Sequence, residues 1–360
     1  MARAGKKPRA RRVAGGVDTH QDTHHAAVEL MNGSRIAGAE FPATARGYEQ
    51  LLAWLRSFGR LHAVGVEGTG SYGAGLARYL AGQDVTVIEV SRPDRRQRRA
   101  KGNSDPLDAY AAADAVLAGR ATALPKGGDG IAGPVRVVHL ARAGAVKART
   151  AAVNELKALL VTAPAVLREQ LAGLGTAKLA AACARLRPGP DAGDPVTGTK
   201  LTLRSLARRW QALDAEVKDH DARLTALITR ARPDLLQIRG AGPETAAQLL
   251  ITCGDNPHRL RSEAAFAALC GVCPVPASPG KTRRHRLSRG GDRQANRALY
   301  FTALSRLASC PRTRAYAARR AGEGLSGREI LRCLKRYIAR ELFKTLTRPD
   351  TRKKAMQPAA

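Results

Sequence analysis

Four carboxylates stand where they could share a metal ion. Asp18 closes the apolar run AGGVD, and Glu67 closes AVGVE just before Gly68-Thr69-Gly70. Asp105 and Asp108 lie three residues apart at the start of a helical pattern, so both side chains leave one face. Two strand ends and a helix face can bring these four acids together. Such a cluster repels itself unless it holds divalent cations. Two Mg²⁺ ions, one at the attacking oxygen and one at the leaving oxygen, are what phosphodiester chemistry uses. Each acid also has a plainer role. Asp105 before Pro106 can cap a helix with Pro at its first position, Asp108 suits a first helical turn, and Asp18 and Glu67 can be turn residues. His20, Asp22, His24 and His25 crowd the turn after Asp18. They lack a partner cluster at metal spacing and read as a solvent-facing hairpin turn, with Asp22 as an outside candidate for the metal site.

A second chemical segment lies far downstream. Ser278 precedes Lys281, Arg283, Arg284, His285 and Arg286, and Arg289 and Arg293 follow. A serine hydroxyl attacks phosphorus only when the phosphate is activated, which cations and metal would provide. The composition alone equally describes a turn serine in a basic loop. The Cys270–Cys273 pair has no second pair, so it reads as two buried or half-buried thiols rather than a zinc or redox site. Gly240-Ala241-Gly242-Pro243, between the short apolar stretches of 235–251, has the form of a helix–hairpin–helix. Backbone N–H groups near Gly240 and Gly242 could hold a phosphate; a packing turn between helices is the alternative.

These residues need a frame. Val13 to Asp18, His25 to Leu30, Arg35 to Phe41, His62 to Glu67 and Val85 to Val90 read as strands. Gly47 to Phe58, Tyr72 to Ala81 and Pro106 to Ala118 read as helices. Strands alternating with helices after a meander predict a mixed sheet covered by helices over 13–126. A helical region over 134–232 follows, with a long helix from Val135 to Val161 and a Gly/Pro-rich loop at 187–199. Leu203, Leu206, Trp210, Leu213, Val217, His220, Leu224 and Leu227 then step by threes and fours, a heptad seam that must pair with the 135–161 helix or with another subunit. The segment 233–347 is a mostly α C-terminal domain. In its last helix Ile330, Leu331, Leu334, Ile338 and Leu342 share one face, with Arg332, Lys335, Arg336 and Arg340 around it.

The chain has 360 residues, with 61 Lys and Arg against 30 Asp and Glu, a formal net charge of +31. An excess of that size calls for a polyanion, and a phosphate backbone is the first candidate. Arg and Ala richness can also reflect GC-rich coding, which does not explain the shortage of acids. Aromatics at 4% argue against extended base-stacking platforms. The basic arm 1–12 is followed by GGVDTHQDTHH instead of the apolar stretch of a leader, and no run is long enough to span a membrane. Six scattered cysteines fit free thiols in a reducing cytoplasm. Residues 348–360 form a basic tail.

GVDTHQDTH, VGVEGTGSY and KGNSDPLDAYAAADA resemble the RuvC-like, RNase H-fold catalytic domain of insertion-sequence transposases with a DEDD tetrad, the family named after insertion sequence one-hundred-and-ten. The likeness extends through Gly240–Pro243, Gly271–Pro274, Ala277-Ser278-Pro279-Gly280-Lys281 and Arg289-Gly290-Gly291-Asp292-Arg293, covering about 14–120 and 235–310. Ala277 stands where the family commonly has serine and Pro279 where it has glycine; Ser288 is the fallback nucleophile. The resemblance implies that Asp18, Glu67, Asp105 and Asp108 bind two Mg²⁺ ions and that Ser278 forms a phosphoserine intermediate during DNA cleavage and rejoining. It also implies a homo-oligomer, dimer or tetramer, in which the serine of one subunit completes the metal site of another, and a noncoding guide RNA. The partners expected are therefore double-stranded DNA, that RNA and further copies of the chain, with no membrane, in the bacterial cytoplasm and near the nucleoid. The phosphate contacts expected are Arg95, Arg96, Arg98, Arg99, Lys101, Gly240, Gly242, Lys281, Arg283, Arg284, Arg286, Arg289 and Arg293. Two other functions fit fewer of these features: a RuvC-like junction endonuclease with water as nucleophile, and a catalytically inactive nucleic-acid-binding protein.

Overall fold

A strand exposes alternate residues to opposite faces, and in the first part of this chain the two faces are filled very differently. The computed structural model describes residues 11–90, 104–277 and 285–348. The chain divides between Lys126 and Gly127 into two compact units.

The first unit is built on strands β1 (Arg12–Thr19), β2 (Thr23–Leu30), β3 (Arg35–Pro42), β4 (Arg60–Glu67) and β5 (Val87–Val90), in the order β3-β2-β1-β4-β5. Short turns make β1, β2 and β3 an antiparallel meander. β4 runs parallel to β1 and β5 parallel to β4. Parallel neighbours need crossovers, and these carry helices α1 (Ala45–Ser57) and α2 (Ala74–Gly82). On one face Val13, Val17, Val64 and Val66 pack against Leu51, Leu52 and Leu55 of α1 and Leu76 and Leu80 of α2.

The other face is nearly bare at its centre. Gly16 and Gly65 are cross-strand partners. A Cβ on Gly16 would lie 2.1 Å from the Ala109 carbonyl oxygen, and one on Gly65 would lie 2.6 Å from that of Ala112. Helix α3 (Asp105–Leu117) rests there, backbone against backbone, with Ala109, Ala112 and Ala113 buried. The sequence features AGGVD, VGVE and AAADA are thus one packing arrangement. Two residues beyond each glycine, on the same face, come Asp18 and Glu67.

In the second unit α4 (Ala132–Val161) and α7 (Pro195–Ala231) lie antiparallel, bridged by Arg142 to Asp221 at 2.6 Å and Arg149 to Asp214 at 2.5 Å. Leu203, Val217 and Leu224 of the heptad seam are buried within this chain. α4 therefore packs on the seam within the chain, while Leu206, Trp210, Leu213, His220 and Leu227 stay half-buried. Short helices α5 (Ala165–Leu171) and α6 (Thr176–Ala184) close one end through Leu156, Leu171, Leu179 and Leu203. The loop expected over 187–199 ends earlier. Asp194 accepts the Thr197 N–H at 2.8 Å and Pro195 opens the helix, so cap and proline start α7 inside the Gly/Pro-rich stretch.

The remainder comprises α8 (Pro233–Leu236), α9 (Pro243–Cys253), α10 (Glu263–Leu269), the two-residue strands β6 (Val275–Pro276) and β7 (His285–Arg286), α11 (Arg293–Ser309), α12 (Pro311–Gly322) and α13 (Gly327–Thr347). Leu249, Phe266, Leu299, Ile338 and Leu342 form its core, joined by Leu224 and Ile228 of α7. Of the two helices expected over 235–251, the first is a single turn. Gly240, with φ of 80°, ends that segment before the longer α9 begins.

Candidate metal centre and nucleic-acid interface

Val17 pairs with Val66 across the parallel strands, so the next residues, Asp18 and Glu67, leave the sheet at the same end. The Thr19 hydroxyl donates to the Glu67 carbonyl at 2.9 Å and ties the two strand ends together. Asp18 is 6% exposed and Glu67 8%. Above them, α3 begins with Asp105, exposed, and Asp108, half-buried. Ser104, not Asp105, is the cap residue, and Asp105 and Pro106 are the first two helical residues. Asp105 is therefore not the expected N-cap. Its carboxylate turns to His20, whose Nδ1 lies 3.9 Å from Asp105 Oδ2 and 3.8 Å from Asp18 Oδ2.

The electrostatics fit the crowding. Burial pushes the Asp18 carboxyl up to about 6; Glu67, Asp108 and Asp105 add to the rise, while His20 opposes it. A carboxyl in that condition gains from a cation. Asp18, His20 and Asp105 each offer a ligand atom, all within 4.8 Å of one another. A set richest in carboxylate oxygen suits a hard divalent ion.

His20 is the residue that sequence reasoning missed. By sequence it groups with the turn, yet it lies two residues beyond Asp18, and period two puts both on one side of the chain. The neighbouring histidine differs. His24 is fully buried, stacked on Tyr48 at 5.6 Å, and burial lowers its pKa. It belongs to the hydrophobic face. Asp22 is exposed in the turn, outside the Asp18–His20–Asp105 group. A second carboxyl pair lies further along the α3 face. Glu29 is fully buried and is pushed up to about 7 by burial and by Asp114, with Arg35 3.9 Å away.

Several expected contacts lie outside the described residues: Ser278, Lys281, Arg283, Arg284, Arg95, Arg96, Arg98, Arg99 and Lys101. Arg286, Arg289 and Arg293 are exposed. Gly240 packs a left-handed turn against the Thr302 carbonyl, and Gly242 caps α9 with open space where a Cβ would stand. Cys270 is fully buried and its thiol is pushed up to about 12, which keeps it protonated. Cys273 reaches the Ser288 hydroxyl at 3.5 Å, and all six cysteines are free. Lys335, expected among the cations flanking the apolar face of α13, is instead buried at 6% exposure. Among the described residues no helix is long and apolar enough to cross a membrane.

Residues 15–163 match a family model for transposases of the IS110 DEDD type, and residues 233–318 match one described as "Transposase IS116/IS110/IS902 family". A protein of insertion element IS110 from Streptomyces coelicolor is 31% identical over 42% of this chain and 38% of its own length. One of insertion element IS900 from Mycobacterium paratuberculosis is 31% identical over 33% of this chain and 31% of its own. A Pseudomonas aeruginosa protein named "Probable family 20 transposase" is 28% identical over 49% of this chain and 51% of its own. The chain thus spans about a third to a half of the length of the curated relatives it matches. The first unit is a mixed sheet bearing a DEDD-type transposase domain, a class that implies divalent metal. With the second match in the helical part, the chain belongs to the IS110/IS116/IS902 family of transposases.

Proposed function

We propose that this chain is a DNA transposase that cuts and rejoins strands at Asp18, Glu67, Asp105 and Asp108, with Mg²⁺ as the metal and Ser278 as the nucleophile. The observation that carries the reading is the convergence of two buried strand-end carboxylates beneath the acidic start of α3, with Asp18 pushed up to about 6. The strand order, a three-strand antiparallel meander extended by two parallel strands, supports an RNase H-like fold. Bound divalent metal would polarise the scissile phosphate and steady the leaving 3′ oxygen.

The chain's own groups supply the rest. Asp18 and Glu67, fixed by strand pairing and by the Thr19 hydroxyl, form the rigid floor of the site. Asp105 and Asp108 approach from α3, whose height is set by Gly16 and Gly65. His20 stands between Asp18 and Asp105, its Nδ1 3.8 and 3.9 Å from their carboxylates. The Ser278 hydroxyl would bond to phosphorus as the bond to the 3′ oxygen breaks, leaving a phosphoserine on the 5′ end and a 3′ hydroxyl. Exposed Arg286, Arg289 and Arg293 would follow the backbone of the same strand. A guide RNA that selects the DNA by base pairing is part of this reading, through the family, as is assembly into a multimer.

Incubation of the full chain with element-end DNA, its RNA and Mg²⁺ tests the proposal. Asp18→Ala or Asp105→Ala should abolish cleavage, and Ser278→Ala should abolish the covalent protein–DNA adduct. Cleavage that survives Asp18→Ala would refute the metal site. Cleavage without an adduct in the unaltered chain would favour water as nucleophile.

A further inference from the structure

A second site lies in the C-terminal unit. A cavity of about 420 Å³ opens between Cys273, the β7 residue Arg286, and helices α12 and α13. Cations outnumber acids on its wall. The two carboxylates that line it are already engaged. Glu323 pairs with Arg320. Glu329 accepts the Ser326 N–H at 2.9 Å and its hydroxyl at 2.7 Å, closing the capping box of α13.

Lys335 has no such partner. It is 6% exposed, on the α13 face that also buries Leu334 and Ile338. Its ammonium donates to Asn296 Oδ1 at 2.8 Å, and among the described residues no carboxylate lies within ion-pair distance. Asn296 is itself fixed, since its amide donates to the Cys270 and Gly271 carbonyls at 2.9 Å each. An amide carbonyl satisfies one of three ammonium donors and none of the charge. Burial and Arg332 both push the Lys335 pKa down, so the folded chain holds this charge at a cost that an anion would relieve. Arg332, which donates to the His285 carbonyl at 3.2 Å and lies 3.9 Å from Glu329 Oε1, lines the same cavity, as does Ser288, whose hydroxyl accepts from the Cys273 thiol at 3.5 Å and can still donate. Arg286, exposed, extends the cationic wall to the rim.

We propose that Lys335, Arg332 and Ser288 form a receptor for one phosphate group of a nucleic-acid strand, a binding site separate from the carboxylates of the first unit. The choice of a strand phosphate rests on reading the chain as a protein that acts on nucleic acid. The chemistry of the pocket alone selects an anion.

The test uses the full chain in EDTA, where strand cutting plays no part. Binding of a fluorescent DNA duplex, a DNA single strand and an RNA is measured against salt for the unaltered chain, Lys335→Met and Arg332→Gln. Loss of one phosphate contact should weaken binding about tenfold. It should also lower the salt slope by about 0.9 for duplex or about 0.7 for a single strand. The strand that shows the change is the occupant. In parallel, inorganic phosphate at constant ionic strength should raise the Tm of the unaltered chain and not that of Lys335→Met. Unchanged slopes for all three strands with no phosphate effect overturn the site. A phosphate effect without any slope change keeps an anion pocket and overturns its assignment to a strand. If Lys335→Met does not fold, Arg332→Gln, at a half-buried position, carries the same measurements. Failure to bind any strand would instead refute the reading of the chain as a nucleic-acid enzyme, whereas binding untouched by either variant refutes the pocket alone.

Discussion

The crowded carboxylates make an uncommon demand: removing one charge should stabilise the metal-free protein. Asp18 has an ordinary value of 3.8 and is raised to about 6, chiefly by burial. That difference is worth about 3 kcal/mol, at about 1.36 kcal/mol for each pKa unit. Because the folded state holds the proton more tightly, metal-free stability falls as pH rises from about 4 to about 6 and is flat above. Asp18→Asn keeps the shape and removes the charge. In EDTA at pH 7.5 it should gain up to about 3 kcal/mol, or about 6–12 °C in Tm for the transition of the first unit. Mg²⁺ should largely cancel that difference. At a hundredfold excess over its dissociation constant it stabilises the unaltered chain by about 2.7 kcal/mol, and it should do little for the variant. Calorimetry from pH 4 to 8, with and without Mg²⁺, reads both effects. If Asp18→Asn is less stable than the unaltered chain in EDTA at pH 7.5 and loses stability between pH 4 and 6 with the same slope, the account of the site is wrong.

Other consequences concern packing and capping. Gly16→Ala should destabilise the first unit by about 1–3 kcal/mol or more and slow cleavage, because its Cβ would fall 2.1 Å from the Ala109 carbonyl and must lift α3 with Asp105 and Asp108. Chemical denaturation and a cleavage assay measure the two effects; an unchanged denaturation midpoint would contradict the close approach. Asp255→Ala should cost the second unit about 1–2 kcal/mol, since its carboxylate accepts the Gly130 N–H at 2.9 Å and the Ala132 N–H at 3.0 Å, capping α4 from a distant segment. Urea denaturation followed by circular dichroism reads that loss, and an unshifted midpoint would remove the cap from the account.

Much of the frame is legible in the residues. Alternating apolar runs foretell β1 to β5, and the threes and fours from Leu203 to Leu227 foretell α7, because strand and helix periods are local properties of the chain. The acids Asp18, Glu67, Asp105 and Asp108 stand out for the same reason, each at an element's end. Boundaries are less legible. Asp194 and Pro195 start α7 inside a stretch rich in glycine and proline, since a cap and a first-turn proline outweigh composition.

Only the tertiary structure decides what depends on distant partners. The heptad seam could serve α4 or a second subunit, and Arg142 meeting Asp221 and Arg149 meeting Asp214 place α4 against it. His20 gains its place only when α3 brings Asp105 beside Asp18. Gly16 and Gly65 gain their meaning only when Ala109 and Ala112 rest on them. Lys335 looks like one more cation beside an apolar stripe until Asn296, itself held by the Cys270 and Gly271 carbonyls, accepts its ammonium. Sequence by itself determines which residues can do chemistry and on which side of their own element they stand. Which of them face each other, and at what cost in burial and charge, is set by contacts between residues far apart in the chain.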